Sequence, residues 1–96
     1  MATKKTETRP WDAAALLQSD GDIAAYLDAV LDEEDPVLLV AALGDVARAR
    51  GMTRIARETG LGRESLYKAL SLGGNPKFAT VQKVVRALGL RLRISP

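Results

Sequence analysis

The sequence predicts an all-α fold of five or six short helices closed by one short C-terminal strand. Three observations predict it. Apolar residues recur at helical spacing in successive segments up to Leu88, a glycine or proline punctuates most of the segments, and only after Gly89 does the rhythm shorten to two residues. At 96 residues the chain is one domain with a single modest core, so any activity sits on its surface or in a subunit interface.

Each element follows in chain order. Residues 1–9, MATKKTETR, are polar and aperiodic, which predicts a flexible tail. Residues 10–35 form an acidic helical extension. Pro10, Trp11 and Asp12 open a short first helix, and SDGD at 19–22 offers an N-cap to a second. On that second helix Ile23, Tyr26, Leu27, Val30 and Leu31 share a face. The acids Asp32, Glu33, Glu34 and Asp35 end it. Asp35 then caps a third helix with Pro36 at its first position, where a missing N–H costs nothing. That helix runs to about Arg50, burying Leu39, Val40, Leu43, Val46 and Ala47, and Gly51 stops it.

Thr53 caps a short helix ending at Gly60, and another runs from about Arg63 to Ser71, closed by Gly73 and Gly74. Phe78, Val81, Val84, Val85 and Leu88 mark a last helix stopped by Gly89. Leu90, Leu92 and Ile94 then alternate with Arg91 and Arg93, the period of a strand with one wet face. No other segment reads as β, so its backbone groups need a second copy of the chain. Residues 90–96 are therefore expected to pair antiparallel across a two-fold axis as a dimerisation strand.

Composition excludes whole classes of function. With no cysteine and no histidine, disulfides, thiolate metal sites and the commonest general base are absent. The run Asp32–Asp35 is a poor metal site, because consecutive carboxylates point different ways around a helix end. No enzyme, cofactor or metal is expected. The longest apolar run, Val37 to Leu43, is seven residues, far short of the roughly 20 that cross a bilayer. We expect a cytoplasmic protein with no membrane partner.

The net charge of +2 conceals a division. Residues 1–47 hold three cations against ten carboxylates, and residues 48–96 hold eleven cations against two. The two halves either attract each other or face partners of opposite sign, a polyanion for the second and a basic protein for the first.

The segment TRIARETGLGRESLYKAL, from Thr53 to Leu70, carries the chemistry. Neither of its helices is long enough to persist alone, so each must bury one face: Ile55, Ala56 and Thr59 on the first, Leu66, Ala69 and Leu70 on the second. Small Ala56 lets the helices approach where they cross, and Gly60 supplies the left-handed turn. This is the chemistry of a helix-turn-helix. Arg63, Glu64, Tyr67 and Lys68 are left facing outward.

From Met52 to Ser71 the spacing of Ala56, Gly60, Leu61, Leu66, Lys68, Ala69 and Leu70 resembles the helix-turn-helix of the phage repressor and Cro class. The following NPKFATVQKVVRALG resembles that class's next helix, which places a repressor/Cro-like domain at 36–89. Within the class, the acidic extension followed by LYKALS, GNPKFAT and ALGL in order is similar to the antidotes of HigBA-like addiction modules, the antitoxins of toxin–antitoxin pairs.

The resemblance implies a dimer on palindromic double-stranded DNA, its second short helix in the major groove, with recognition helices about 34 Å apart. Carried onto this chain, Arg63 suits a bidentate pair with guanine, Glu64 accepts from cytosine, and Lys68 and Tyr67 lie one turn on. Gly62 permits close approach of the backbone. Glu64 serves equally to cap its helix or to repel a wrong sequence. Thr53 and Arg54, at a helix N-terminus, and Lys77, before the last helix, suit phosphates.

The resemblance also implies a small basic ribonuclease toxin as partner. Nine carboxylates and no cation lie between Trp11 and Ala47. Trp11 and Tyr26 with Asp20, Asp22, Asp28 and Asp32 form the candidate toxin contact; alternatively the aromatics cover the core and the acids solubilise. Two other readings stay open: a free-standing repressor without a toxin, and a protein-interaction module that binds no DNA.

Overall fold

A computed structural model describes residues 19–96, in which five helices follow one another: α1 (Asp20–Asp32), α2 (Pro36–Arg50), α3 (Met52–Thr59), α4 (Arg63–Ala69) and α5 (Phe78–Ala87). The expected helix after Pro10, and Trp11 with it, lies outside the described residues.

Local chemistry sets most of the boundaries. Ser19 accepts a hydrogen bond from the Asp22 N–H at 3.1 Å and so caps α1. Asp35 caps α2 by accepting from Val37 N–H at 3.0 Å, with Pro36 behind it. Gly51 (φ 104°) turns the chain between α2 and α3. The left-handed Gly60 (φ 76°) ends α3, and its N–H and that of Leu61 both donate to the Ala56 carbonyl, at 3.0 and 3.2 Å.

The core sits where these helices meet. Ile23 and Leu27 of α1 join Leu43, Val46 and Ala47 of α2, Ile55 of α3, Leu66 of α4, and Leu70, Val84 and Leu88. α1 packs along α2, whereas α3 touches α2, α4 and α5 and is the hub of the bundle. Eight residues long, α3 holds its shape by burying Met52, Ile55, Ala56 and Thr59. Buried Thr59 satisfies its hydroxyl by donating to the Ala56 carbonyl at 3.1 Å.

Four expectations are corrected. Thr53 does not cap α3; the cap position falls two residues earlier, at Gly51, which makes no side-chain bond, and Met52, a buried core residue, opens the helix. α4 ends at Ala69 rather than Ser71, since Leu70 turns out of helical geometry to reach the core. Phe78 and Leu31, expected on buried faces, are 67% and 48% exposed; Phe78 is the first residue of α5 and Leu31 is in the last turn of α1, so both project past the packed centre. Within the single chain, residues 90–96 make no helix or ladder; the expected strand pairing is one between two copies. Leu90 is tied back by its N–H to the Val85 carbonyl at 3.1 Å, while Leu92 and Ile94 are exposed. A lone extended segment has no ladder partner, so its pairing can arise only between chains.

Candidate nucleic-acid interface

Three residues, Gly60, Leu61 and Gly62, join α3 to α4. Gly62 is extended (φ −67°, ψ 144°) at the start of α4, a conformation open to any residue, and a Cβ added there would meet only the Ser65 hydroxyl at 3.7 Å. The fold does not require this glycine. What its missing side chain leaves is space outside the protein, at the entrance to α4.

Burial of Leu66 orients α4 and leaves Arg63, Glu64 and Lys68 exposed and Tyr67 half-buried, with Arg63 and Glu64 in the first turn. Arg63 does not wave freely. Its guanidinium carbon lies over the Tyr67 ring, 5.4 Å from the centroid, and its Nη2 donates to the Tyr67 hydroxyl in a long bond of 3.5 Å. A second guanidinium, that of Arg48 on α2, lies over the same ring at 5.5 Å. Arg48 in turn pairs with Asp45, Nη1 to Oδ1 at 3.3 Å. The sequence singled out neither Arg48 nor Asp45. A carboxylate inside the apolar stretch of α2, three residues before an arginine, was the available signal; that the pair meets Tyr67 depends on tertiary packing.

Asp45 is a buried carboxylate whose Oδ2 has no hydrogen-bond partner. Burial pushes its pKa above the ordinary aspartate range, an effect that Arg48 partly offsets. Tyr26 on α1 is raised as well, first by burial and then by the charge of Asp45.

The expected phosphate contacts fall at two helix starts. Thr53 is exposed in the first turn of α3, and Lys77 is exposed at the cap position of α5. Arg54 is already engaged: its Nη2 donates to the Ala87 carbonyl at 2.9 Å, satisfying the end of α5, and its Nε meets Glu58 at 3.3 Å. About half of its side chain stays accessible.

The acidic residues gather on α1. Asp28 and Asp32 are exposed, Asp22 follows the Ser19 cap, and Asp20 binds Arg50 of α2 at 2.6 Å. Tyr26 is half-buried against the core, with Trp11 outside the described residues. An open, largely apolar groove of ≈ 640 Å³ runs between α1, α2, α5 and residues 89–93, with Leu31, Leu39, Leu90 and Leu92 among its walls. Among the described residues no acid cluster suits a metal ion, and no helix is long and apolar enough to cross a membrane.

The arrangement is that of a small all-helical protein with an acidic helix, α1, and a short helix, α4, that exposes Arg63 and Lys68. The family model for "Probable addiction module antidote protein" matches residues 7–96, and the chain belongs to that family. It is also similar to a protein of Haemophilus influenzae described as uncharacterized, 49% identical over 88 residues that cover 92% of this chain and 91% of the relative. No solved structure matches the chain.

Proposed function

We propose that the protein is the antidote of a toxin–antitoxin pair, neutralising a small basic ribonuclease toxin and repressing its own operon by sequence-specific binding of DNA as a dimer. Membership of the antidote family supports the first role. The observation that carries the second is the outward face of α4, where exposed Arg63 and Lys68 flank Tyr67 beyond a glycine the fold does not require.

In this reading α3 and α4 are a helix-turn-helix, and α4 enters the major groove. Gly62 lets the backbone approach, Arg63 pairs with guanine, and Glu64, Tyr67 and Lys68 meet neighbouring base edges or methyl groups. Thr53, Lys77 and the accessible part of Arg54 hold phosphates and fix the register. Leu90, Leu92 and Ile94 of two chains pair as antiparallel strands, presenting two copies of α4 to a palindromic operator. The acidic α1, with Asp20, Asp22, Tyr26, Asp28 and Asp32 and with Trp11 before it, receives the toxin, because a ribonuclease that binds a polyanion is itself attracted to carboxylates.

Co-expression with the product of the neighbouring gene tests the antidote role. That product should arrest growth when expressed alone, be harmless alongside this protein, and co-purify with it. A neighbour that is harmless alone, or that does not co-purify, removes the role.

A further inference from the structure

Tyr67 holds more of the recognition surface together than its own helix does. Over its ring lie the guanidinium of Arg63, one turn earlier in α4, and that of Arg48, from the last turn of α2, with carbons 5.4 and 5.5 Å from the centroid. The far side of this chain of contacts is fixed. Arg48 Nη1 reaches Asp45 Oδ1 at 3.3 Å, and the Asp45 side chain is only 11% exposed. Glycine at position 44 makes the arrangement possible, since a Cβ there would collide with the Leu70 carbonyl oxygen at the end of α4 and crowd Arg48 Nη1 at 3.2 Å.

We propose that Asp45 and Arg48 are positioning residues for base recognition: Asp45 anchors Arg48 against Tyr67, and the ring held in this way sets the orientation in which Arg63 is offered to a base edge. The proposal rests on the reading that α4 binds duplex DNA. The physical reason is entropic. An unrestrained arginine samples many rotamers, and part of that entropy must be surrendered when it docks on a base; a guanidinium already stacked and hydrogen-bonded loses less. The second cation over the ring is tolerable because the aromatic face is electron-rich and Asp45 supplies the balancing charge.

A different role for Arg48 would leave a different signature. A direct phosphate contact strengthens binding to every sequence equally and contributes about one unit to the salt slope; an indirect positioning role changes the preference among sequences and leaves the slope alone.

The experiment uses the full-length protein and a fluorescent duplex covering the DNA upstream of its own gene. Affinity is measured by anisotropy over a range of salt, against duplexes that each carry one base-pair substitution. Arg63→Ala first identifies the base pair that Arg63 reads. At that pair, Arg48→Lys, Arg48→Gln and Asp45→Asn should each lower discrimination roughly tenfold, the scale of one bidentate base contact. Tyr67→Leu should do the same, whereas Tyr67→Phe, which keeps the ring, should retain most of the discrimination. Circular dichroism and thermal melting show which variants are folded, and Asp45→Asn, which removes a buried charge and preserves shape, should melt no lower than wild type.

Undiminished discrimination in folded Asp45→Asn overturns the proposal. So does a uniform loss of affinity in Arg48→Gln with a salt slope lower by about one unit, which would make Arg48 a phosphate ligand. If the wild-type protein itself binds no duplex, the DNA-binding reading fails and takes this proposal with it, a result visible before any variant is made.

Discussion

Gly44 lies against the end of α4, and an alanine there would press its methyl into the Leu70 carbonyl, which is backbone and cannot swing aside. Gly44→Ala should therefore destabilise the protein by about 1–3 kcal/mol, as overpacking does, measured by urea denaturation. Its neighbour Asp45 behaves in the opposite sense. Its folded-state pKa is raised by burial, so the folded form holds the proton more tightly than the unfolded chain does, and its contribution to stability diminishes as pH rises from the ordinary aspartate value through the raised one. Asp45→Asn should remove that decline, so that the variant gains on wild type as pH increases across the window, read from paired melting curves. Neither the contact of Gly44 nor the burial of Asp45 is local. Gly44 looks like an ordinary weak point in a helix, and Asp45 lies close enough to Tyr26 of α1, a group distant in the chain, for its charge to be felt there.

Helix boundaries were the most legible part of the fold, because caps are local chemistry. Asp35 before Pro36, and the glycines at 51 and 60, act where the sequence put them. Asp35→Ala should cost about 1 kcal/mol by leaving the first amides of α2 without an acceptor, and Gly60→Ala should cost about 1–2 kcal/mol because its left-handed φ of 76° strains any residue with a Cβ. Both are read as shifts in the urea midpoint. The boundaries misread were those decided by tertiary contacts. Met52 draws the start of α3 back by two residues because it belongs to the core, and Leu70 ends α4 early for the same reason. Periodicity also assigned Phe78 to the interior, whereas at the first position of α5 it lies beyond the packing that Val84 and Val85 make in the later turns. On the candidate interface, the exposure of Arg63, Glu64 and Lys68 followed from the position of Leu66, but the stacking of Arg63 on Tyr67 and the engagement of Arg54 with α5 depend on where side chains meet in space.

Across the whole molecule, charge follows the helices. Apart from buried Asp45, the described acids of the first half cluster on α1 and at its junction with α2, and the exposed cations belong mainly to α3, α4, α5 and the segments around them. Such a division suits two partners of opposite sign, and under the proposed function the toxin meets the acidic α1 and the duplex meets the cationic α3 and α4. Whether the cationic helices hold duplex DNA is decided by the salt dependence of binding. With the upstream duplex, affinity should fall steeply as salt rises, by a log–log slope of about 0.9 for each phosphate contact. Arg63→Ala and Lys68→Ala should fold normally yet lose preference for that duplex over unrelated DNA. Binding that is absent or insensitive to salt, or variants that discriminate as well as the wild type, would contradict the DNA-binding reading.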